Sequence, residues 1–147
     1  MLKRSANAIW NGDLKNGNGK VSVESGLIKE ADYSFTKRFE NEPGTNPEEL
    51  LGAAHAACFS MALSAALSGE GYEVRSIRTT DKVYLDKVAD GFAITKIEVF
   101  VEGEVAGIDE EKFLQFAEKT KAGCPVSKAL TGVQFVLNAK FTTTVSA

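Results

Sequence analysis

The chain has 147 residues, of which 44% are hydrophobic and 25% are charged, and its formal net charge at pH 7 is −3. This length fits one domain with its own core, and the composition excludes disordered, fibrous and disulfide-scaffold proteins. The weak negative charge gives no basic surface for nucleic acid or a membrane. Two cysteines and one histidine are too few of the usual ligands for a four-ligand structural zinc site. We therefore expect the chemistry to involve the two thiols.

The first 20 residues mix charged and polar side chains with glycine and contain no apolar core of a signal peptide. We therefore expect a reducing, cytoplasmic environment, where a structural disulfide is rare and a transient catalytic one is allowed. The one long apolar run, residues 50–67, contains Gly52, His55, Ser60 and Ser64 and is flanked by amphipathic segments. These features favour a buried helix over a membrane span.

The first part of the chain predicts a small antiparallel sheet. Residues 6–10 are a short candidate strand, residues 15–19 are a turn cluster, and residues 21–25 alternate apolar and polar side chains. Residues 33–39 alternate again, which predicts a further strand with Arg38 near its end.

A strong helix-start signal follows this sheet. Asn46 is a candidate N-cap, Pro47 fits the first helical position, and Glu48 and Glu49 suit the positive end of the helix dipole. We expect the helix to extend to about Ser68. Because it is apolar almost all round, it should be buried on several sides, and in so small a domain it is a candidate for cover by a second subunit.

Strands return after this helix. Residues 73–87 and 92–104 predict two long strands joined by an Asp-Gly hairpin signal, and residues 134–145 predict a last strand. A second helix is predicted between its cap, Asp109, and Gly123. Strand groups separated by helices favour an α+β fold over a parallel βαβ sheet.

The two cysteines have different local settings. Cys58 lies in the middle of the first long helix, where a free cysteine commonly packs as a small hydrophobe. Cys124 precedes Pro125 at the start of a short helical turn, where free N–H groups stabilise a thiolate. Their sequence separation excludes a CxxC motif. If the thiols meet in the fold, a sulfenic acid on one can condense with the other to a disulfide. If they do not meet, both are ordinary packed residues.

Other polar side chains around these cysteines are candidates for the same site. Arg38 offers a fork of donors that suits a thiolate and a peroxide oxygen, and a carboxylate from Glu48 or Glu49 would hold that fork. An ordinary surface ion pair is the alternative. Either glutamate lies about 14–15 Å along a straight helix from Cys58, so it would act through the arginine, a helix bend or a second subunit. His55 shares a helical face with Cys58, which leaves open a Cys–His hydrolase or acyltransferase, although a packed or hydrogen-bonded histidine is the simpler interpretation.

Two segments resemble the signature of the OsmC/Ohr family of thiol peroxidases. Residues 44–63 read GTNPEELLGAAHAACFSMAL and resemble its first cysteine block, and residues 121–127 read KAGCPVS and resemble its second. Three shorter segments look like the OsmC branch of the family: residues 10–15, 21–26 and 91–96. The likeness covers nearly the whole chain, so residues 1–147 are interpreted as a single OsmC-like domain.

The resemblance implies an α+β fold with antiparallel sheets around a long central helix, in an intertwined homodimer with its sites at the subunit interface. It implies reduction of organic hydroperoxides, and of hydrogen peroxide, to alcohol or water, with no metal, haem or flavin cofactor. Such an activity would contribute to oxidative or osmotic stress defence. A hydrolase or a non-enzymatic small-ligand-binding dimer is the alternative function.

The resemblance also implies roles for individual residues. Cys58 matches the peroxidatic cysteine, and Cys124 matches the resolving cysteine. Arg38 looks like the arginine that holds the reactive thiolate. The family's glutamate follows an Asn-Pro pair, which points to Glu48, with Glu49 as the adjacent alternative. The expected cycle passes through a sulfenic acid and an intramolecular disulfide, which an external dithiol reduces.

Overall fold

A computed structural model of the protein describes residues 1–142, in the element order βββααββααβ. Helices and strands alternate in groups, which confirms the α+β prediction. The chain forms two compact units, residues 1–50 and residues 51 onward, each with its own three-stranded sheet.

The first unit contains the predicted small antiparallel sheet. Its strands are β1 (Ala6–Asn11), β2 (Asn18–Val23) and β3 (Ala31–Tyr33), arranged in that order. Both pairings are antiparallel. Gly19 faces Tyr33 across the sheet so closely that a Cβ on the glycine would lie 2.4 Å from the tyrosine ring. This close approach explains a glycine inside a strand.

The prediction of a strand over residues 33–39 is wrong beyond Tyr33, because Phe35–Phe39 form a short helix, α1. The Ser34 hydroxyl accepts a hydrogen bond from the Lys37 backbone N–H at 3.3 Å, as an N-cap does. The two phenylalanines that bound the helix are four residues apart, and their ring centroids lie 4.9 Å apart. Arg38 therefore lies in the last turn of a helix and not at a strand end.

The long helix predicted from Asn46 is α2 (Pro47–Gly69). The Asn46 side-chain oxygen accepts a hydrogen bond from the Glu49 backbone N–H at 2.8 Å, which confirms the predicted cap. Beyond the other end, Gly71 has a φ of +89°, a left-handed conformation that favours glycine and stops the helix.

By length and composition alone, α2 could also cross a membrane. One of its sides, however, carries Phe59, Leu63 and Leu67, which are fully buried in the core of the second unit. These residues recur every four positions, as expected for a helix that packs one face on a core. This side of the helix therefore packs on the core of the second unit.

The opposite side of α2 is uncovered within one chain. Met61 has 76% of its surface exposed there. Alanines surround it along the same side: Ala53, Ala54, Ala57 and Ala65. The prediction of burial on several sides is therefore not met by a single chain.

The second unit is built on the hairpin of β4 (Glu73–Val88) and β5 (Gly91–Ala106), whose turn is the predicted one. The last strand, β6 (Gln134–Thr142), pairs with β5 in parallel, so this sheet is mixed where an antiparallel one was expected. Two helices between β5 and β6 act as a crossover connection, which returns the chain in the same direction. Residues 143–145 of the predicted strand lie outside the described residues.

The crossover consists of α3 (Glu110–Gly123) and α4 (Pro125–Ala129). The Asp109 side chain accepts a hydrogen bond from the Lys112 backbone N–H at 2.8 Å, which confirms the predicted cap. Cys124 ends α3 and caps α4, so a short helical turn begins after it as predicted. The thiol is thereby held at a fixed corner between two helices.

Candidate active site

The two cysteines meet in the second unit. Both are free thiols, and Cys124 is 1% exposed whereas Cys58 is only partly buried. The Cys58 side chain interacts with the Cys124 thiol and accepts a hydrogen bond from the Val126 backbone N–H. The thiol on α2 and the thiol at the α3–α4 corner are therefore neighbours, as a disulfide between them would require.

The surroundings of Cys58 within this unit disfavour its thiolate. Burial raises the pKa of the Cys58 thiol above its ordinary value, the hydrogen bond from Val126 lowers the pKa, and the neighbouring Cys124 raises it again. The net result is a raised pKa. A reactive thiolate at neutral pH therefore needs a positive charge that these neighbours do not supply.

Arg38 and Glu48 form an ion pair in the first unit. The arginine donates from Nε at 3.1 Å and from Nη2 at 2.9 Å, both to Oε1 of the glutamate. The Glu48 side chain is 11% exposed, and its Oε2 is buried without a hydrogen-bond partner among the described residues. Glu49 is exposed, and its backbone N–H bonds to the helix cap. The arginine is therefore oriented by Glu48 and not by Glu49.

An aromatic cavity of about 220 Å³ lies beside Arg38 in the same unit. The guanidinium carbon lies 5.2 Å from the centroid of the Phe39 ring. The remaining lining residues are mostly aromatic or aliphatic: Trp10, Leu14, Tyr33, Ser34 and Phe35. The cavity thus combines one cation with apolar walls, which suits a ligand that has a polar head and an organic tail.

His55 is fully buried and hydrogen-bonded through both ring nitrogens. Nδ1 bonds to the Asp81 carboxylate on β4, and Nε2 lies 2.9 Å from the Ser127 hydroxyl on α4. The Cys58–His55 dyad of the hydrolase alternative is therefore not formed, and a hydrogen-bonded histidine is confirmed. Within residues 1–142, no group of three or more His, Cys, Asp or Glu side chains is placed to hold a metal ion.

Two polar residues of this cluster, Asp81 and Ser127, are missing from the sequence-based candidates. Asp81 lies two residues from both Thr79 and Val83 along β4, so the three side chains share the inward-facing side of the strand. A charged residue at such a position signals a buried partner. Ser127 lies three residues after Cys124, at the distance at which an N-cap contacts the first turn.

Comparison with known proteins places the chain in a family. The family model described as "OsmC-like protein" matches residues 39–138. Peroxiredoxin OsmC of Escherichia coli is 55% identical over 88% of this chain and 90% of its own length. Organic hydroperoxide resistance protein OhrB of Bacillus subtilis is 30% identical over 78% of this chain and 82% of its own length.

Solved structures agree with this comparison. An organic hydroperoxide resistance protein from Elizabethkingia anophelis, crystallised with thiocyanate bound, superposes with a TM-score of 0.73 at 25% identity, over 97% of this chain and 99% of its own. The structure of Bacillus subtilis OhrB gives a TM-score of 0.68 at 26% identity, over 92% and 98%. From its sequence, its fold and these relatives, the chain belongs to the OsmC-like protein family.

Proposed function

We propose that this protein is a cysteine-based peroxidase that reduces organic hydroperoxides, and that it contributes to oxidative stress defence. The observation that carries the proposal is the meeting of the Cys58 and Cys124 thiols, in a chain 55% identical to a peroxiredoxin. A peroxidase of this kind needs one thiol to take oxygen from the peroxide and a second thiol within reach. Hydrogen peroxide is a further substrate in this proposal.

The proposed first step uses Cys58 as nucleophile. Its thiolate attacks the outer oxygen of the hydroperoxide, the S–O bond forms and the O–O bond breaks, and the other oxygen leaves as an alcohol after taking a proton. Cys58 becomes a sulfenic acid. Cys124 then displaces this hydroxyl to form a disulfide and water, and an external dithiol returns both cysteines to thiols.

Arg38 is proposed to supply the positive charge that the Cys58 thiolate lacks. A cation close to a thiol favours the charged form and lowers its pKa by about 1–3 units, which would offset the effect of burial. The same guanidinium would stabilise negative charge on the departing oxygen. In this proposal Glu48 acts through Arg38 by holding the guanidinium in one orientation.

The aromatic cavity is proposed to bind the organic part of the substrate. Its apolar walls would remove an alkyl or aryl group from water, which stabilises the complex by about 25 cal/mol for each Å² buried. Hydrogen peroxide has no such group and gains nothing from these walls. In this proposal, the side chains around Arg38 give the protein a preference for organic hydroperoxides.

A homodimer is proposed to cover the exposed side of α2. Replacing Met61 with Glu would place a charge in the middle of this apolar side, so we expect a dimer to dissociate into monomers. Light scattering coupled to size exclusion measures the mass, with Met61→Leu as the control that keeps the side apolar. A wild-type protein that elutes as a monomer would contradict the dimer.

We also propose a cytoplasmic location and a single domain over residues 1–147.

The peroxidase proposal is tested by counting thiols. Reduced wild-type protein treated with one equivalent of cumene hydroperoxide is expected to lose both free thiols, because one is oxidised and the other joins it in a disulfide. Ellman titration measures the loss, and peptide mapping identifies the bridge. Retention of both thiols would show that the protein does not reduce this peroxide. The same titration with hydrogen peroxide measures the preference for organic substrates.

A further inference from the structure

Four buried side chains form a continuous hydrogen-bonded chain that ends on Cys124. The Asp81 carboxylate bonds to His55 Nδ1, and His55 Nε2 lies 2.9 Å from the Ser127 hydroxyl. The Ser127 hydroxyl lies 2.9 Å from the Cys124 sulfur. The side chains of Asp81 and His55 are 0% exposed, and Ser127 is 5% exposed. Nothing in the peroxidase steps described above uses the first three of these residues.

The direction of each hydrogen bond follows from the carboxylate at one end. A carboxylate only accepts, so His55 Nδ1 donates to Asp81, and in the tautomer that is protonated at Nδ1 alone Nε2 is an acceptor. Ser127 therefore donates its hydroxyl proton to Nε2, and its oxygen is free to accept the Cys124 S–H. The Ser127 backbone N–H also donates to the sulfur at 3.3 Å, which stabilises negative charge there. The chain is thus arranged to take a proton from Cys124.

The histidine ring is fixed in this orientation. It stacks on Phe135 of β6 with a centroid distance of 4.7 Å and an interplanar angle of 28°. Asp81 Oδ1 is buried without a hydrogen-bond partner among the described residues. The Asp81 charge is therefore offset mainly through His55, and it stabilises the positive charge that the ring acquires when it takes a proton.

We propose that Ser127, oriented by His55 and Asp81, takes the proton from Cys124 as Cys124 attacks the oxidised Cys58. This inference rests on the peroxidase function proposed above. Ser127 contacts the reacting sulfur and is a catalytic residue, whereas His55 and Asp81 act through it as positioning residues. Asp81, His55 and Ser127 are hydrogen-bonded in the same order as the Asp, His and Ser of a serine hydrolase triad. The Ser127 hydroxyl is buried against the Cys124 thiol, so the nucleophile that these hydrogen bonds activate is Cys124.

The step balances without any further reactant. The S–S bond forms between Cys124 and Cys58 while the S–O bond of the sulfenic acid breaks. The Cys124 proton moves to the Ser127 oxygen as the hydroxyl proton moves to His55 Nε2. The Ser127 hydroxyl then passes its proton to the departing hydroxide, which leaves as water, and His55 Nε2 returns a proton to the Ser127 oxygen. The Cys124 sulfur is oxidised, the sulfenic sulfur of Cys58 is reduced, and both end at the disulfide level.

The test compares two substitutions of equal size at one position. Ser127→Thr keeps the hydroxyl and Ser127→Val removes it, so only the relay differs between them. After one equivalent of cumene hydroperoxide, trapping by dimedone measures the sulfenic acid, and mass spectrometry of quenched samples measures the disulfide. We expect both variants to oxidise Cys58 at the same rate, and the valine variant to form the disulfide about 100-fold more slowly than the threonine variant.

The outcomes separate this inference from the peroxidase proposal. Equal rates of disulfide formation in the two variants would overturn the relay while leaving the peroxidase intact. Wild-type protein that forms no sulfenic acid and no disulfide would overturn both. Thr79→Val is the control, because it breaks a 2.7 Å hydrogen bond from β4 to Ser60 on α2 without touching the relay, and wild-type rates are expected.

His55 provides a second, independent measurement, because it is the only histidine in the sequence and its NMR signals need no assignment. In the reduced protein we expect the nitrogen shifts of a neutral ring protonated at Nδ1 and unprotonated at Nε2. A ring protonated at Nε2 would overturn the proposed direction of proton transfer. His55→Gln is expected to slow disulfide formation and to leave the oxidation of Cys58 unchanged.

Discussion

Replacing Cys58 with Ser is expected to lower the rate of organic hydroperoxide reduction by at least about 10³-fold, because the hydroxyl cannot replace the thiolate as nucleophile. The other cysteine, Cys124, is buried, so it is not expected to replace Cys58 as the thiol that reacts with peroxide at any peroxide concentration. Consumption of cumene hydroperoxide in the presence of excess dithiothreitol measures the rate.

Cys124→Ser is the matched variant, and its expected behaviour differs in kind. Cys58 should still reduce one equivalent of peroxide and then stop as a sulfenic acid, because no resolving thiol follows. Dimedone should label nearly every molecule of this variant and few molecules of the wild type. If Cys58→Ser consumes peroxide as fast as the wild type, or if Cys124→Ser shows no first turnover, the assigned roles of the two cysteines are wrong.

The second large effect is expected at Arg38. Arg38→Met removes the charge and keeps the length of the side chain, so the Cys58 pKa should rise towards the value that burial imposes. Since a pKa change of one unit alters the thiolate fraction tenfold, sulfenic acid formation at pH 7 should fall by about 10- to 10³-fold. Raising the pH restores the thiolate, so the difference from wild type should shrink at alkaline pH. Stopped-flow mixing over a pH series measures both results.

Neighbouring residues supply controls for the arginine. Lys37→Met removes an adjacent positive charge from the same helix, and Glu49→Gln removes the glutamate that does not contact Arg38. Both are expected to react at nearly the wild-type rate. Glu48→Gln keeps one acceptor oxygen for Arg38 but removes the negative charge, so an intermediate rate is expected. An Arg38→Met protein that reacts at the wild-type rate across the pH series would exclude a role for this arginine.

Local sequence signals predicted the helix caps and the long hairpin. The Asn46 and Asp109 side chains each accept a hydrogen bond from the backbone N–H three residues later, and the turn between β4 and β5 depends on a few neighbouring residues. The same local logic was wrong for residues 33–39, because seven alternating residues also contain a Ser cap and an aromatic pair four residues apart. The two patterns compete, and alternation alone does not decide between them.

Contacts between distant segments were harder to predict. The sequence does not predict whether Cys58 meets Cys124, because their separation along the chain neither requires nor forbids a contact. The sequence predicts a packed or hydrogen-bonded His55 but does not identify its partners, since Asp81 is 26 residues away and Ser127 is 72 residues away along the chain. The parallel pairing of β6 with β5 likewise depends on the path of the crossover and not on the strand itself.

In the proposed cycle, the unequal exposure of the two sulfurs would decide how the oxidised protein is reduced. With Cys124 only 1% exposed, an incoming dithiol can approach the bridge only from the side of Cys58. In this proposal the mixed disulfide forms on Cys58, and Cys124 departs as the leaving thiolate. The proposed cycle would thus attach the external reductant to the same sulfur that meets the peroxide, so that one opening to solvent serves both halves of the cycle.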